Sequence, residues 1–204
     1  ALKARCEKVG VISPEESIAF ALLGPTARAS GISIDIRVDH PYAAYPELGC
    51  EVMVEQGCDI WSRVLVRLRE TLEAIRLVRD ALRMMPDGPI MADMRQPIPP
   101  GRIGLSSVEA PRGETHHFVI TGEEQRPYRW KARAPTFQNL QGIPVMVAGE
   151  YIADVPIGLG SMDPCFSCTE RLETIDVRSG EVRTWSREEL QALYRLRHGL
   201  KEPL

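Results

Sequence analysis

The sequence lacks the features that would direct it to nucleic acid, to a membrane or to secretion. Its 25 basic and 28 acidic residues give a formal net charge of −3, so neither sign is in sufficient excess to attract a polyanion or an anionic lipid surface. The most apolar stretch, residues 143 to 160, is interrupted by Glu150, Asp154 and two prolines, which excludes a transmembrane helix there. The first residues, ALKARCEKVG, are charged and lack the apolar centre of a signal peptide. We expect no nucleic-acid partner and no direct membrane span.

Cysteine is also scarce, and its number is odd. Five cysteines without a secretory signal argue against a disulfide framework and favour reduced thiols in the cytoplasm. The chain begins with alanine, and its first methionine is Met53. We therefore expect this sequence to be a piece of a longer polypeptide.

Two of the five cysteines form a single CxxC motif within GSMDPCFSCTER, residues 160 to 171. Thiolates three residues apart can bind one metal ion because the intervening turn points both sulfurs the same way. Cys165 and Cys168 are therefore candidate metal ligands. A closed zinc site would need two more ligands, and the sequence has neither a second CxxC nor an HxxxH motif. Two buried thiols without a metal remain an alternative.

The other cysteines and histidines do not complete a standard zinc pattern. Cys50 and Cys58 are eight residues apart, and His116 is directly followed by His117; this pair is most simply two alternating residues of a strand. A thioredoxin-like redox pair would need a strand before it and a helix N-terminus after it. Here the segment Thr169-Glu170 follows the motif, and its acidic side chain would not lower a thiol pKa.

A second candidate site is the Pro111-Arg112-Gly113 segment of VEAPRGETHHF. It places a guanidinium beside a backbone turn just before a strand. Because an arginine between proline and glycine has little packing role, a directed charge contact is one interpretation, and an ordinary surface turn is the other.

The first half of the chain is predicted to be helical with one long irregular segment. Ser13 and Glu16 form a capping box that starts a helix, which we expect to run to about Leu23 and stop at Gly24-Pro25. Residues 25 to 56 are expected to be irregular. Residues 59 to 85 carry apolar side chains at helical spacing, and this long bundle helix is expected to expose its arginines to solvent, paired with Glu70 and Glu73.

The second half mixes strands and helices, which makes the fold class α+β. Residues 97 to 104 (PIPPGRIG) are expected to be a proline-rich connector, followed by a β-hairpin made of THHFVITG and YRWKARA. From Pro135 to Gly160 the chain is apolar and expected to be mostly helical. After the CxxC motif we predict two short strands around Ser179-Gly180, then a helix behind a second capping box of Ser186 and Glu189.

Several of these segments, taken in order, resemble one family. VGVISPEESIAFALLGPTARASG, IRVDHPYAAY, EAPRGE, RPYRWKARAPTFQNLQ and DPCFSCTER resemble the later part of the large subunit of energy-converting nickel–iron hydrogenases, of the formate hydrogenlyase and hydrogenase-4 type. That subunit is homologous to the hydrogenase-like large subunit of complex I, the NADH–quinone oxidoreductase. The resemblance covers residues 8 to 171. DPCFSCTER separates the two relatives, because the complex I subunit has lost these cysteines.

The resemblance implies a role for each matching residue. Cys165 would be a terminal thiolate on nickel, and Cys168 would bridge nickel and iron. Pro111 and Arg112 would lie over the metal site, and Asp163 would sit beside them as a catalytic residue together with Arg112. The reaction would interconvert H₂ with two protons and two electrons, and the electrons would pass to an iron–sulfur partner subunit.

The same resemblance also says what this chain does not contain. The family's other two metal ligands come from an earlier CxxC motif, which this sequence does not have. We expect no nickel–iron centre and no hydrogenase activity in the isolated chain. Residues 1–171 would be the C-terminal part of the domain that forms the large subunit. Residues 172–204 would be a C-terminal extension of the kind that a maturation protease removes, with cleavage after Arg171.

The expected partners follow from the family. They are an iron–sulfur small subunit, further subunits of a membrane-bound complex, the maturation protease and nickel-insertion proteins, with the complex on the cytoplasmic side of the membrane. Two alternatives stay open: a complex I-like, quinone-reducing subunit with vestigial cysteines, and a non-catalytic assembly module.

Overall fold

The computed structural model describes residues 2–91, 97–169, 173–175 and 179–198. These fall into two compact units, Ala1–Cys168 and Thr169–Leu204. The first unit holds a long helix, several short helices and a three-stranded sheet, and the second holds a two-stranded sheet and a helix. The α+β composition predicted from the sequence is confirmed, whereas a match to the complete hydrogenase large-subunit fold stays a prediction.

Short helices occupy the first 48 residues. They are α1 (Leu2–Cys6), α2 (Pro14–Ala19), α3 (Gly24–Arg28), α4 (Ile36–Asp39) and α5 (Tyr45–Leu48). The capping box at the start of α2 is confirmed, because the Glu16 N–H donates to Ser13 Oγ at 3.1 Å and the Ser13 N–H donates to Glu16 Oε2 at 2.8 Å.

Two expectations about this region were wrong. Helix α2 ends at Ala19 instead of continuing to Leu23, and Gly24-Pro25 starts helix α3 instead of stopping a helix. The reason is that the fixed φ of proline suits the first turn of a helix, where its missing N–H costs nothing. The segment from 25 to 56 is consequently not wholly irregular, since it contains most of α3 and all of α4 and α5.

Helix α6 spans Ile60–Met84, close to the predicted range. Asp59 caps its N-terminus by accepting the Ser62 N–H at 2.8 Å. The helix ends at Met84, and the next residue, Met85, has an extended backbone because the following Pro86 disfavours a helical conformation in the residue before it.

The orientation of α6 differs from the prediction. The chain covers a face that includes Ser62, Arg63, Val66, Glu73 and Leu77. The opposite face leaves large apolar side chains more than half exposed: Leu68, Leu72, Ile75, Val78 and Leu82. The arginines of α6 are therefore not simply a solvated face; Arg76 does pair with Glu73 at 2.6 Å, but Glu70 pairs with Arg28 of α3 at 2.7 Å. No described element covers the exposed face, so the expected bundle partner stays a prediction.

Arg63 is fully buried and ties three segments together. Its guanidinium donates to Gly10 O at 2.7 Å, Ser161 Oγ at 2.8 Å and Cys58 O at 3.4 Å. Burial lowers its pKa to about 10, which still leaves the side chain charged at neutral pH. Charge-assisted hydrogen bonds thus offset the cost of removing this charge from water.

We expect Arg63→Met to lower the free energy of unfolding by about 2 kcal/mol. The Gly10 carbonyl loses its charged donor, and this loss outweighs the desolvation cost of the Arg63 charge, which the variant no longer has. Arg79→Met, at an exposed position of the same helix, serves as the control and should change it by less than about 0.5 kcal/mol. Thermal denaturation followed by circular dichroism measures both. Equal stabilities of the two variants would contradict a stabilising role for Arg63.

A three-stranded antiparallel sheet follows, with order β1 (Ile103–Ala110), β2 (Gly113–Thr121) and β3 (Pro127–Arg133). The predicted hairpin of β2 and β3 is confirmed. The prediction missed β1, because residues 97 to 104 were expected to be only a connector. His116 and His117 are consecutive residues of β2, so they lie on opposite faces of the sheet, and each is half-buried.

The apolar segment after the sheet is helical, as predicted. It contains α7 (Pro135–Asn139), α8 (Ile143–Val147) and α9 (Val155–Met162), joined by short 3₁₀ turns. Met146 and Met162 from this segment pack with Ile12, Leu22 and Ala27 in the main hydrophobic core. This core fixes the C-terminal end of α9, where the CxxC loop begins.

In the second unit, β4 (Glu173–Ile175) pairs with β5 (Val182–Thr184), and α10 spans Arg187–His198. The predicted strands and the capping box before α10 are confirmed, since the Ser186 N–H donates to Glu189 Oε2 at 2.8 Å. Arg171, the predicted cleavage point, lies outside the described residues. Within the described ranges, no helix combines the length and apolarity needed to cross a bilayer.

Candidate metal centre

Arg112 lies in the tight loop between β1 and β2. The last pair of the two strands is Ala110 with Gly113, so that Pro111 and Arg112 form the two-residue connection. The loop packs against the start of α3. Gly24, the first residue of α3, has a φ of +61°, and Gly113, the first residue of β2, has a φ of +124°. A β-carbon on Gly24 would lie only 2.4 Å from the Arg112 carbonyl oxygen, and this close approach requires glycine.

Asn139 of α7 holds the same loop from the other side. Its Nδ2 donates to Arg112 O at 3.2 Å, and its Oδ1 accepts the Leu23 N–H at 2.8 Å. Asn139 is buried, so its two hydrogen bonds are shielded from water. The backbone of Arg112 is thus fixed between α3 and α7.

Asp163 ends helix α9 in the left-handed conformation, with a φ of 52°. Arg112 binds it through two atoms: Nη2 donates to Asp163 Oδ1 at 2.8 Å, and Nε donates to the Asp163 backbone carbonyl at 2.9 Å. Such a two-point contact fixes both the guanidinium plane and the carboxylate. The directed charge contact predicted for Arg112 is therefore present.

A second arginine, Arg67 of α6, reaches the other carboxylate oxygen. Its Nη1 lies 3.5 Å from Asp163 Oδ2, and its Nη2 donates to Met162 O at 3.2 Å. Burial lowers the pKa of Arg67, and the Asp163 carboxylate opposes that shift. Arginine at the C-terminal end of α9 also satisfies carbonyls that the helix leaves unpaired.

The CxxC loop follows directly after Asp163. Its backbone is held by Thr136 of α7, whose Oγ1 accepts the Cys165 N–H at 3.1 Å, and by a bond from the Cys168 N–H to Cys165 O at 3.0 Å. The two sulfurs are 2.7 Å apart. Both side chains are only partly buried in this chain, and the alternative of two thiols without a metal stays open.

The two thiols differ in acidity. The pKa of Cys165 is lowered because its sulfur accepts hydrogen bonds from Cys168 and from Ser167, with a smaller contribution from the positive charge of Arg112. The pKa of Cys168 is raised because its thiol donates to Cys165 and is partly desolvated. The loop thus presents one thiolate-prone sulfur next to a second sulfur donor, which is the donor type that soft metals select.

Comparison with known proteins identifies the family. The sequence model of the respiratory-chain NADH dehydrogenase 49 kDa subunit matches residues 1–107 and 96–171. The chain belongs to this family. The resemblance drawn from the sequence is thereby confirmed. The relatives of this chain fall into two branches, hydrogenase subunits and complex I subunits.

Three relatives illustrate the two branches. Formate hydrogenlyase subunit 5 of Escherichia coli K12 is 39% identical over 190 residues, which is 93% of this chain and 33% of the relative. The carbon monoxide-induced hydrogenase of Rhodospirillum rubrum is 44% identical over 167 residues, which is 82% of this chain and 46% of the relative. A subunit of the NADH-quinone oxidoreductase of Chloroherpeton thalassium is 37% identical over 187 residues, which is 78% of this chain and 42% of the relative. The chain spans between a third and a half of the length of these relatives.

The donor set of this family member fits half of a thiolate-bound metal centre. Cys165 and Cys168 supply two adjacent sulfurs, and Asp163 with its two arginines lies immediately before them. In the described parts of the chain, no three histidine, cysteine, aspartate or glutamate side chains are grouped so that they could hold a metal ion. A metal at this loop would therefore need further ligands from outside these residues.

The sequence interpretation missed the residues that hold the site in place. Arg67, Thr136 and Asn139 contact the Arg112 loop or the CxxC loop, yet each lies at least 27 residues from its partner along the chain. Arg67 was expected to belong to a solvated face. Only the quoted segment RAPTFQNLQ, which contains Thr136 and Asn139, carried a signal, and it did so through the resemblance.

Proposed function

We propose that this chain is part of the catalytic large subunit of a membrane-associated nickel–iron hydrogenase, which interconverts H₂ with protons and electrons. The observation that carries the proposal is the single site formed by Cys165, Cys168, Asp163 and Arg112. A subunit that only reduces quinone has no use for two adjacent thiols in this position, whereas a nickel–iron centre needs them as ligands.

In the proposed holoenzyme, Cys165 and Cys168 would hold nickel and iron together with two ligands from the earlier part of the polypeptide. The centre would supply the redox chemistry of H₂. Arg112 would keep its charge beside the thiolates, Asp163 would hold that guanidinium in one orientation, and Arg67 would hold Asp163. Pro111 has a fixed backbone φ and so restricts the two-residue connection that carries Arg112.

Metal analysis and H₂-dependent dye reduction of the native full-length complex test the proposal. We expect one nickel atom per large subunit, together with iron from this centre and from the iron–sulfur partner, and reduction of a viologen dye by H₂. The separately purified 204-residue chain should hold no stoichiometric nickel and show no activity, because half of the ligands are lacking. A full-length complex without nickel, or an isolated chain with H₂-dependent activity, would contradict it.

A complex I-like, quinone-reducing subunit is the second candidate. The family description and the NADH-quinone oxidoreductase relatives, at 34 to 38% identity, favour it. Under this alternative the thiol pair would be vestigial, and the full-length complex would reduce quinone without nickel. Partner subunits, including an iron–sulfur protein, belong to both proposals, as does attachment to the cytoplasmic side of a membrane. The maturation protease, with cleavage after Arg171, belongs to the hydrogenase proposal alone.

Arg112→Lys tests the proposed role of the guanidinium. Lysine keeps the charge but cannot donate to Asp163 O and Oδ1 from one planar group. We expect the full-length complex to retain nickel and to lose about 30-fold in H₂ oxidation rate, the range found when groups supporting a metal site are changed. Arg129→Lys on the exposed part of β3 is the matched control. A rate within about twofold of wild type for Arg112→Lys would count against this role.

A further inference from the structure

Helix α6 carries a row of large apolar side chains that the described residues leave uncovered. Each of them is between 51% and 69% exposed, and a contiguous apolar surface of this kind marks an interaction site. We call this row the α6 stripe; its members are Leu68, Leu72, Ile75, Val78 and Leu82. The question is what covers it in the complete protein.

The spacing of the α6 stripe specifies a helical partner. Leu68, Leu72, Ile75, Arg79 and Leu82 follow one another at intervals of four and three residues, which are the a and d positions of a heptad. Val78 widens the stripe on one side, as in a helix that faces the core of a bundle. Such a face packs against another helix at a crossing angle of about 20° and an axial distance of about 8–10 Å.

The opposite face of α6 is already bound to this chain, so the helix cannot turn the stripe inward. Val66, Glu73 and Leu77 are buried, and Glu70 pairs with Arg28 of α3 at 2.7 Å. Rotating α6 to cover the stripe would expose these apolar groups and break this ion pair. The partner helix therefore comes from outside the described residues.

The charges of α6 argue against a second copy of this chain as the partner. Arg79 interrupts the stripe at an a position, and Asp80 next to it pairs with Arg76 at 3.1 Å and with Arg83 at 3.5 Å. Arg69, Arg76 and Arg83 follow one flank at seven-residue intervals. Two parallel copies would bring Arg79 against Arg79, and two antiparallel copies would bring the arginine flanks together, which like charges oppose. A helix with acidic residues fits this surface better.

The first residues of the stripe lie beside the candidate metal centre. Arg67, the residue before Leu68, contacts the Asp163 carboxylate at 3.5 Å. A cleft of about 350 Å³ is lined by Arg67, by Thr71 and by Pro111 of the loop that carries the site arginine. A segment that approaches the metal centre on this side therefore also meets the start of the stripe.

The earlier part of the full-length polypeptide is the segment that has to reach this place. In the proposed centre, two of the metal ligands come from there and must approach Cys165 and Cys168. Its length is sufficient for a long helix, since this chain covers only 33% of formate hydrogenlyase subunit 5 and about two thirds of that relative lies outside the match.

We propose that a helix from the earlier part of the same polypeptide packs along the α6 stripe, with an acidic side chain opposite Arg79. This contact would hold the earlier segment beside the CxxC loop, where its metal ligands are needed. The inference rests on the proposed function, because the need for those ligands favours this segment over a partner subunit.

Photo-crosslinking of the native full-length complex tests the contact. Photo-leucine, a leucine analogue of nearly the same volume with a diazirine on its side chain, replaces leucine without disturbing the packing and on illumination bonds to the atoms that it touches. Mass spectrometry of the crosslinked peptides should connect Leu68, Leu72 and Leu82 to one earlier segment of the same polypeptide. The points reached from Leu68 and Leu82 should lie about 14 residues apart, as on one helix parallel or antiparallel to α6, with an aspartate or glutamate between them.

Two leucines of the same sample serve as controls. Leu77, on the covered face of α6 and 6% exposed, should crosslink to residues of this chain only. Leu105 of β1 is 74% exposed, about as much as Leu72 with 69%, and should not reach the earlier segment that Leu72 reaches. The same crosslinked residues from Leu105 and Leu72 would overturn a specific contact with α6.

Other occupants of the stripe give different crosslinks. Crosslinks to a partner subunit, to residues 169–204 or to a second copy, which doubles the subunit mass on a denaturing gel, would overturn the proposed contact. So would an absence of crosslinks from the stripe in a sample in which Leu77 is crosslinked. The nickel content of the sample reports on the proposed function separately: nickel with crosslinks elsewhere removes only the helix contact, and the expected crosslinks without nickel remove only the hydrogenase function.

Discussion

Replacing Cys165 with alanine in the full-length complex is expected to reduce H₂-dependent dye reduction to the background level. A methyl group cannot coordinate a metal, and the remaining thiol of Cys168 would lose the partner that now lies 2.7 Å from it. Nickel content should fall with the activity, because the metal would lose one of its thiolates. If the complex instead works as a quinone reductase, the same variant should keep its quinone reduction.

Cys58→Ala provides the matched control for this result. Cys58 is also partly buried, but its thiol contacts only its own loop, through Gln56 O at 3.4 Å, among the hydrogen bonds of the described residues. It should retain nickel and H₂ activity. Full H₂ activity in Cys165→Ala would refute the assigned ligand role, and an equal loss in both variants would show a general sensitivity to thiol removal.

Locally encoded elements could be predicted from the sequence. The capping boxes at Ser13 and Ser186, the length of α6 and the hairpin of β2 with β3 all follow from residues within a few positions of each other. Their signals are spacing, capping and turn residues, which need no knowledge of distant contacts. Strand β1 was missed because small polar residues, Ser106 and Ser107, break its apolar alternation and its pairing partner lies in the following hairpin.

Which face of α6 is buried could not be predicted in the same way. The apolar spacing of Leu68, Leu72 and Ile75 is regular, yet these side chains are exposed, while Arg63 and Glu73 are buried. Burial of a charged side chain depends on partners that are distant in sequence, such as Gly10 O and Ser161 Oγ for Arg63. Periodicity identifies a helix and its two faces, but it does not say which neighbours each face receives.

In the candidate site, too, residues that are adjacent in sequence could be predicted, and residues that only the fold brings together could not. The CxxC motif and the preceding aspartate are contiguous, so their proximity is given by the sequence itself. The contact of Arg112 with Asp163 joins residues 51 positions apart, and only the resemblance to a known family pointed to it. The supporting residue Arg67 became visible only through its contact with Asp163 in the folded chain.

Gly24→Ala is expected to lower the free energy of unfolding by about 3 kcal/mol. About 1 kcal/mol comes from forcing alanine into the left-handed φ of +61°. The rest comes from overlap, since the new β-carbon would lie 2.4 Å from Arg112 O and 2.5 Å from the Gly113 nitrogen. For a chain of this size the melting temperature should fall by about 6–12 °C, measured by calorimetry or circular dichroism.

Gly149→Ala separates backbone strain from overlap. Gly149 has a φ of +82°, but a β-carbon there would meet no atom within 4 Å, so only the strain of about 1 kcal/mol should appear. If Gly24→Ala were no more destabilising than Gly149→Ala, the contact between α3 and the Arg112 loop would not be tight. The same overlap should push Arg112 away from Asp163, so a full-length complex carrying Gly24→Ala should lose H₂ oxidation in parallel with Arg112→Lys, whereas one carrying Gly149→Ala should not.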